Sequence, residues 1–187
     1  MNRASGYILP WVAWLFLFSC TIHEKTFDNP VDYKGNQELG IGAPTLVFYP
    51  KTQSRSISDS VKVESFLIFH PDSFESFAGV HLQMNFPNSF LELDTIKPGI
   101  FITDTNKTTP LFVYNYDGNN TIDIFAYFLD TAAKNLTGSG HLADIIFNPL
   151  GAGTDSVLYN LSECAVIDHE DNTVQVNGER GTEVIVQ

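Results

Sequence analysis

A chain of 187 residues with 22 acidic against 10 basic side chains has a formal charge of −12. That balance repels phosphate backbones and anionic headgroups, so nucleic acid is excluded as a partner. With 43% hydrophobic residues and a mean hydropathy of −0.02, the chain is globular and long enough for one domain with its own core. Two cysteines supply neither a disulfide framework nor a cysteine zinc site.

Arg3 precedes an apolar run from Tyr7 to Phe18, which closes on Ser19 and Cys20. One positive charge before about a dozen apolar residues is the pattern of a secretory signal, and the run is too short to cross roughly 30 Å of hydrocarbon. Leu17-Phe18-Ser19-Cys20 resembles the bacterial lipobox, which implies cleavage after residue 19 and lipid attachment at Cys20. The alternative is an ordinary cleaved signal with a cysteine nearby. A disulfide between Cys20 and Cys164 is also allowed by count. If Cys20 carries lipid, Cys164 is a single thiol acting as a small buried hydrophobe. The expected destination is the cell envelope, on the outer membrane or cell surface, with the lipid as the sole membrane contact. The sequons at Asn106, Asn119, Asn135 and Asn160 are read as chance in an Asn- and Thr-rich chain.

Residues 20–42 are polar and punctuated by Asn29-Pro30, Gly35-Asn36 and Gly40-Ile41-Gly42, the composition of a flexible tether. From residue 43 to 187, short β-branched and aromatic runs alternate with turn residues. Strands are expected at Thr45–Tyr49, Val61–His70, Ala78–Phe86, Leu91–Ile96, Leu111–Tyr116, Thr121–Leu129, His141–Phe147, Ser156–Tyr159, Cys164–Asp168 and Glu183–Val186. Ala78–Phe86 is the clearest: Ala78, Val80, Leu82, Met84 and Phe86 share one face, and His81, Gln83 and Asn85 the other. Asp117-Gly118-Asn119-Asn120 reads as a hairpin connection. A short helix is allowed at 130–135. The fold class is all-β, a sandwich or barrel.

The stretch Phe77-Ala78-Gly79-Val80-His81-Leu82-Gln83-Met84-Asn85-Phe86-Pro87 resembles the third-strand signature of cohesin domains and their relatives among cellulose-binding modules. Phe90–Leu93 with Lys97-Pro98-Gly99, Gly138–Phe147, Cys164–Asp168 and Glu183–Val186 are similar to later segments of that family, in the same order. The resemblance implies a jelly-roll sandwich of about nine strands over residues 43–187. Gly79 and Gly140 would then allow close backbone approach, and Leu82, Phe86, Leu93 and Phe147 would fill the core. It also implies a binding activity. Cohesins dock dockerin modules of polysaccharide-degrading enzymes through a sheet face that includes the third strand, and relatives bind polysaccharide. By position, His81, Gln83 and Asn85 would project from that face.

The aromatics offer a glycan alternative. Phe112, Tyr114 and Tyr116 share one face and are expected to pack between sheets. Asp123, Phe125 and Tyr127 lie opposite the apolar row Ile122, Ile124, Ala126 and Phe128, so Phe125 and Tyr127 are the expected exposed pair for sugar stacking. Catalysis finds no motif: no nucleophile elbow, phosphate loop or paired carboxylates in a recognisable context. An accessory subunit of a glycoside hydrolase is the remaining alternative. His23, His70, His81, His141 and His169 show no ligand spacing, and neither metal nor cofactor is expected. Asp168-His169-Glu170-Asp171-Asn172 is either an exposed acidic turn or a calcium loop.

Overall fold

The computed structural model describes residues 29–72, 76–103, 110–129 and 136–187. The export segment with Cys20, the first part of the tether, the sequons at Asn106 and Asn135 and the segment 130–135 lie outside the described residues. Among those described, no helix is long and apolar enough to cross a membrane.

In chain order the elements are α1 (Tyr33–Glu38), β1 (Thr45–Tyr49), β2 (Thr52–Arg55), β3 (Val61–Ile68), β4 (Ser76–Phe77), β5 (Gly79–Asn85), β6 (Leu91–Pro98) and α2 (Ile100–Thr103). They continue as β7 (Leu111–Tyr116), β8 (Thr121–Tyr127), β9 (Leu136–Thr137), β10 (Gly140–Pro149) and β11 (Gly153–Tyr159). A 3-10 turn at Leu161–Glu163 leads to β12 (Ala165–Ile167), β13 (Thr173–Val174), β14 (Gly178–Arg180) and β15 (Thr182–Val186). Every expected strand is present. The excess over the ten expected strands is five short segments: β2, β13 and β14 edge the two sheets, and β4 and β9 pair with each other as a small separate ribbon.

Two sheets face each other. The smaller runs β14-β1-β3-β10-β6, and the larger runs β13-β12-β5-β11-β15-β2, with β8 on the other side of β5 and β7 outside β8. This is an all-β jelly-roll sandwich. Alternation drives the packing, because every second side chain turns inward. Val61, Val63, Ile145 and Phe147 from one sheet meet Val80, Leu82, Met84, Ile122, Ile124, Val184 and Val186 from the other, all buried. Phe48 stacks on Tyr159 at 3.8 Å between centroids, and the Tyr159 hydroxyl pairs with Ser65 Oγ at 2.8 Å. A buried phenol left without that partner would cost a desolvation penalty of about 1–3 kcal/mol.

Two sequence expectations change. First, part of the segment read as a tether is ordered. Asp32 caps α1 by accepting from Lys34 N, and Asn36 is buried, its amide donating to the Asp32 carbonyl at 2.8 Å. Polar capping and a side-chain amide bond fix this turn, so no apolar period announces it. Second, of the Phe112, Tyr114 and Tyr116 row only Phe112 packs against the core, half-buried, while the two tyrosines stay exposed. The row lies on the inward side of β7, opposite Ala126, Ile124 and Ile122. But β7 pairs with β8 alone and ends the sheet, leaving Tyr114 45% and Tyr116 36% exposed.

Candidate functional site

The outer face of the larger sheet is built by register. His81, Gln83 and Asn85 on β5 lie directly opposite Phe125, Asp123 and Thr121 on β8. Residues paired in this way point to the same side of a sheet. The two groups singled out separately in the sequence therefore form one patch.

Asp123 is its centre. Its Oδ1 accepts from His81 Nε2 at 2.8 Å and from Gln83 Nε2 at 3.0 Å. A carboxylate only accepts, so Nε2 of His81 carries the proton. The Gln83 carbonyl oxygen in turn accepts from Asn160 Nδ2 at 2.6 Å, while Thr121 donates to Asn85 at 3.0 Å. Asp123 Oδ2 accepts nothing from the described residues and remains for an incoming donor. Each polar side chain is thus held in one orientation by its neighbour, at little further entropic cost on binding.

Phe125 and Tyr127 are half-buried rather than fully exposed. The Phe125 ring is stacked against His81, centroids 4.3 Å apart and planes within 7°. Tyr127 lies across Gly79: a Cβ there would stand 2.1 Å from Tyr127 Cδ1 and 2.9 Å from the Ala126 carbonyl. Burial also pushes the Tyr127 hydroxyl above its ordinary pKa. The sequence could show that these rings share a face, but not that a neighbour covers one side of each.

Apolar side chains flank the polar stripe. Leu111 and Val113 extend the face on the β7 side, opposite Tyr127 and Phe125. Ala165 and Ile167 extend it on the β12 side, and Leu158 stands opposite Asn85. Leu111, Val113 and Leu158 are 44%, 46% and 49% exposed. Cys164 is a free thiol beside the stripe and receives the Gln83 N–H at 3.4 Å. Burial pushes that thiol up to about 11, which suppresses the thiolate. Asp123 is the one carboxylate among these residues.

The acidic turn 168–172 stands apart. Asp168 Oδ1 accepts from the Glu170 and Asn172 amides, each at 2.8 Å, and these bonds, led by that of Asn172, lower its pKa. Its oxygens close the turn on itself.

No family model matches the chain, and no curated protein does. Solved structures do match in fold. The sixth cohesin of scaffoldin B from Acetivibrio cellulolyticus, in complex with a mutant dockerin, superposes with a TM-score of 0.62 at 16% identity, over 76% of this chain and 98% of that one. A type II cohesin from the cellulosome of the same organism gives 0.62 at 13% identity, over 75% and 94%. A type I cohesin–dockerin complex from Clostridium thermocellum gives 0.60 at 11% identity, over 76% and 99%. The fold is a cohesin-like β-sandwich.

Proposed function

We propose that this domain is a protein-docking module which binds a dockerin-type module of polysaccharide-degrading enzymes through the outer face of β7, β8, β5 and β12. The observation that carries the reading is the convergence on one sheet face of a preset polar stripe, His81, Gln83, Asn85 and Asp123, between exposed apolar flanks. That composition, apolar with a few fixed polar groups, is what specific protein interfaces use. The cohesin-like fold supports it, since several similar structures are cohesins in complex with dockerins. The lipobox resemblance supports a lipid anchor at Cys20 and a place in the cell envelope, which would hold captured enzymes at the surface.

Polysaccharide binding through Asp123, Phe125 and Tyr127 is the competing reading. It has less support, because one face of the Phe125 ring is already taken by His81. Immobilising the protein and incubating it with extract of its host, with and without calcium, separates the two. Recovery of glycoside hydrolases that share a small calcium-binding module supports docking. Recovery of no protein, with retention on insoluble polysaccharide instead, overturns it in favour of the glycan. Labelled palmitate should enter the wild type and not Cys20→Ser; labelling of both rejects the anchor.

A further inference from the structure

The outer face of the opposite sheet carries a second cluster, independent of the docking face. Asp144 on β10 lies directly opposite Glu64 on β3. His141, three residues earlier, would face the other way in a regular strand, where sides alternate with period two. The ladder shifts register between His141 and Ala143, and this bulge turns the imidazole onto the side of Asp144. His141 Nε2 then stands 3.0 Å from Asp144 Oδ1 and 3.0 Å from the Ala143 carbonyl oxygen. Donor atoms of Glu64, His141 and Asp144 all lie within 4.8 Å of one another. Phe66, paired with His141 across the strands, stacks on the ring at 4.9 Å and fixes it.

Protons now fill the point where these acceptors converge. The Lys62 ammonium sits 2.7 Å from Glu64 Oε1 and 2.9 Å from Asp144 Oδ1. The Lys62 side chain is 47% exposed on a flexible stem, whereas those of His141 and Asp144 are 14% and 21% exposed. The ammonium is therefore the displaceable member and the ligands are the fixed ones. The separation of His141 Nε2 from Asp144 Oδ1, 3.0 Å, is a few tenths of an ångström short of the edge, roughly 3.3–3.6 Å, of a tetrahedral ion with bonds of about 2.0–2.2 Å, so a small outward movement admits the ion. An imidazole beside two carboxylates selects zinc-class ions over calcium, which takes oxygen ligands alone.

We propose that Glu64, His141 and Asp144 form a binding site for a divalent transition metal, with Lys62 as its resident competitor. On binding, the neutral imidazole carries its single proton on Nδ1 rather than Nε2, which leaves the Nε2 lone pair for the ion, and the Lys62 ammonium leaves the carboxylates and swings to solvent. The three ligands come from strands far apart in sequence and from a bulge, so no spacing motif announces them.

Calorimetric titration of the full chain with zinc chloride, and with cobalt chloride followed by visible absorption, tests this. One equivalent is expected to bind. His141→Ala and Asp144→Asn should each weaken binding about tenfold or more, Lys62→Met should tighten it, and His81→Ala should leave it unchanged. Circular dichroism confirms folding of each variant, and His141→Gln replaces the alanine variant if the bulge fails. Binding that persists unchanged in the His141 and Asp144 variants, or that is lacking in both wild type and Lys62→Met, overturns the assignment.

Discussion

The two outer faces of this sandwich solve the same problem differently. On the smaller sheet, Lys62 neutralises Glu64 and Asp144 at 2.7 and 2.9 Å, so charge is answered by charge within the face. On the larger sheet, one neutral amide and one imidazole converge on the single carboxylate of Asp123, and apolar side chains stand exposed on both sides. Exposed ion pairs contribute little and discourage association, whereas exposed apolar area beside fixed donors and acceptors favours it. The difference separates a face whose charges answer one another from one that leaves apolar area exposed beside fixed polar groups, as the proposed docking requires.

Both faces hang on one core, and the largest effect comes from breaking it. Met84 is fully buried between the sheets, so Met84→Asp places an unpaired charge there. A loss of at least about 4 kcal/mol is expected, enough to abolish a cooperative thermal transition. An unchanged melting temperature would show that the inward face of β5 is misassigned. Next comes Gly79→Ala, whose Cβ collides with the Tyr127 ring and the Ala126 carbonyl. Overpacking of this kind costs about 1–3 kcal/mol and should displace Tyr127 on the outer face of the larger sheet. Measured by denaturant titration, a neutral result would mean that Tyr127 moves freely. The smallest effect is expected at the other face. Lys62→Met removes a half-exposed ion pair network and should cost no more than about 1 kcal/mol in the absence of metal. A loss as large as that of Gly79→Ala would blur the contrast between the faces.

The sequence carried the strands and their inner rows well where both faces of a strand have neighbours. Along β5, alternation predicted Val80, Leu82 and Met84 inside, and all are buried. Along β7 the same alternation was misleading. Phe112, Tyr114 and Tyr116 do share a face, but periodicity says which residues point together and not how far the core reaches along them: it covers Phe112 and leaves the two tyrosines exposed. The candidate site was legible in pieces. His81, Gln83 and Asn85 came from one strand's alternation, and Asp123, Phe125 and Tyr127 from another's. Only the register between β5 and β8 made them one network. Neither α1, held by Asp32 and Asn36, nor the bulge that turns His141 beside Asp144 has an apolar pattern to betray it.

The most direct test of the docking face sets the two sheets against each other in one capture assay. Gln83→Arg forces a long cation into the stripe on the larger sheet, and Glu92→Arg puts the same residue on exposed β6 of the smaller one. With both variants folded as judged by circular dichroism, hydrolase capture from host extract should be lost with Gln83→Arg and retained with Glu92→Arg. Equal capture by both, or loss with Glu92→Arg alone, would contradict the assignment of the larger sheet as the binding surface.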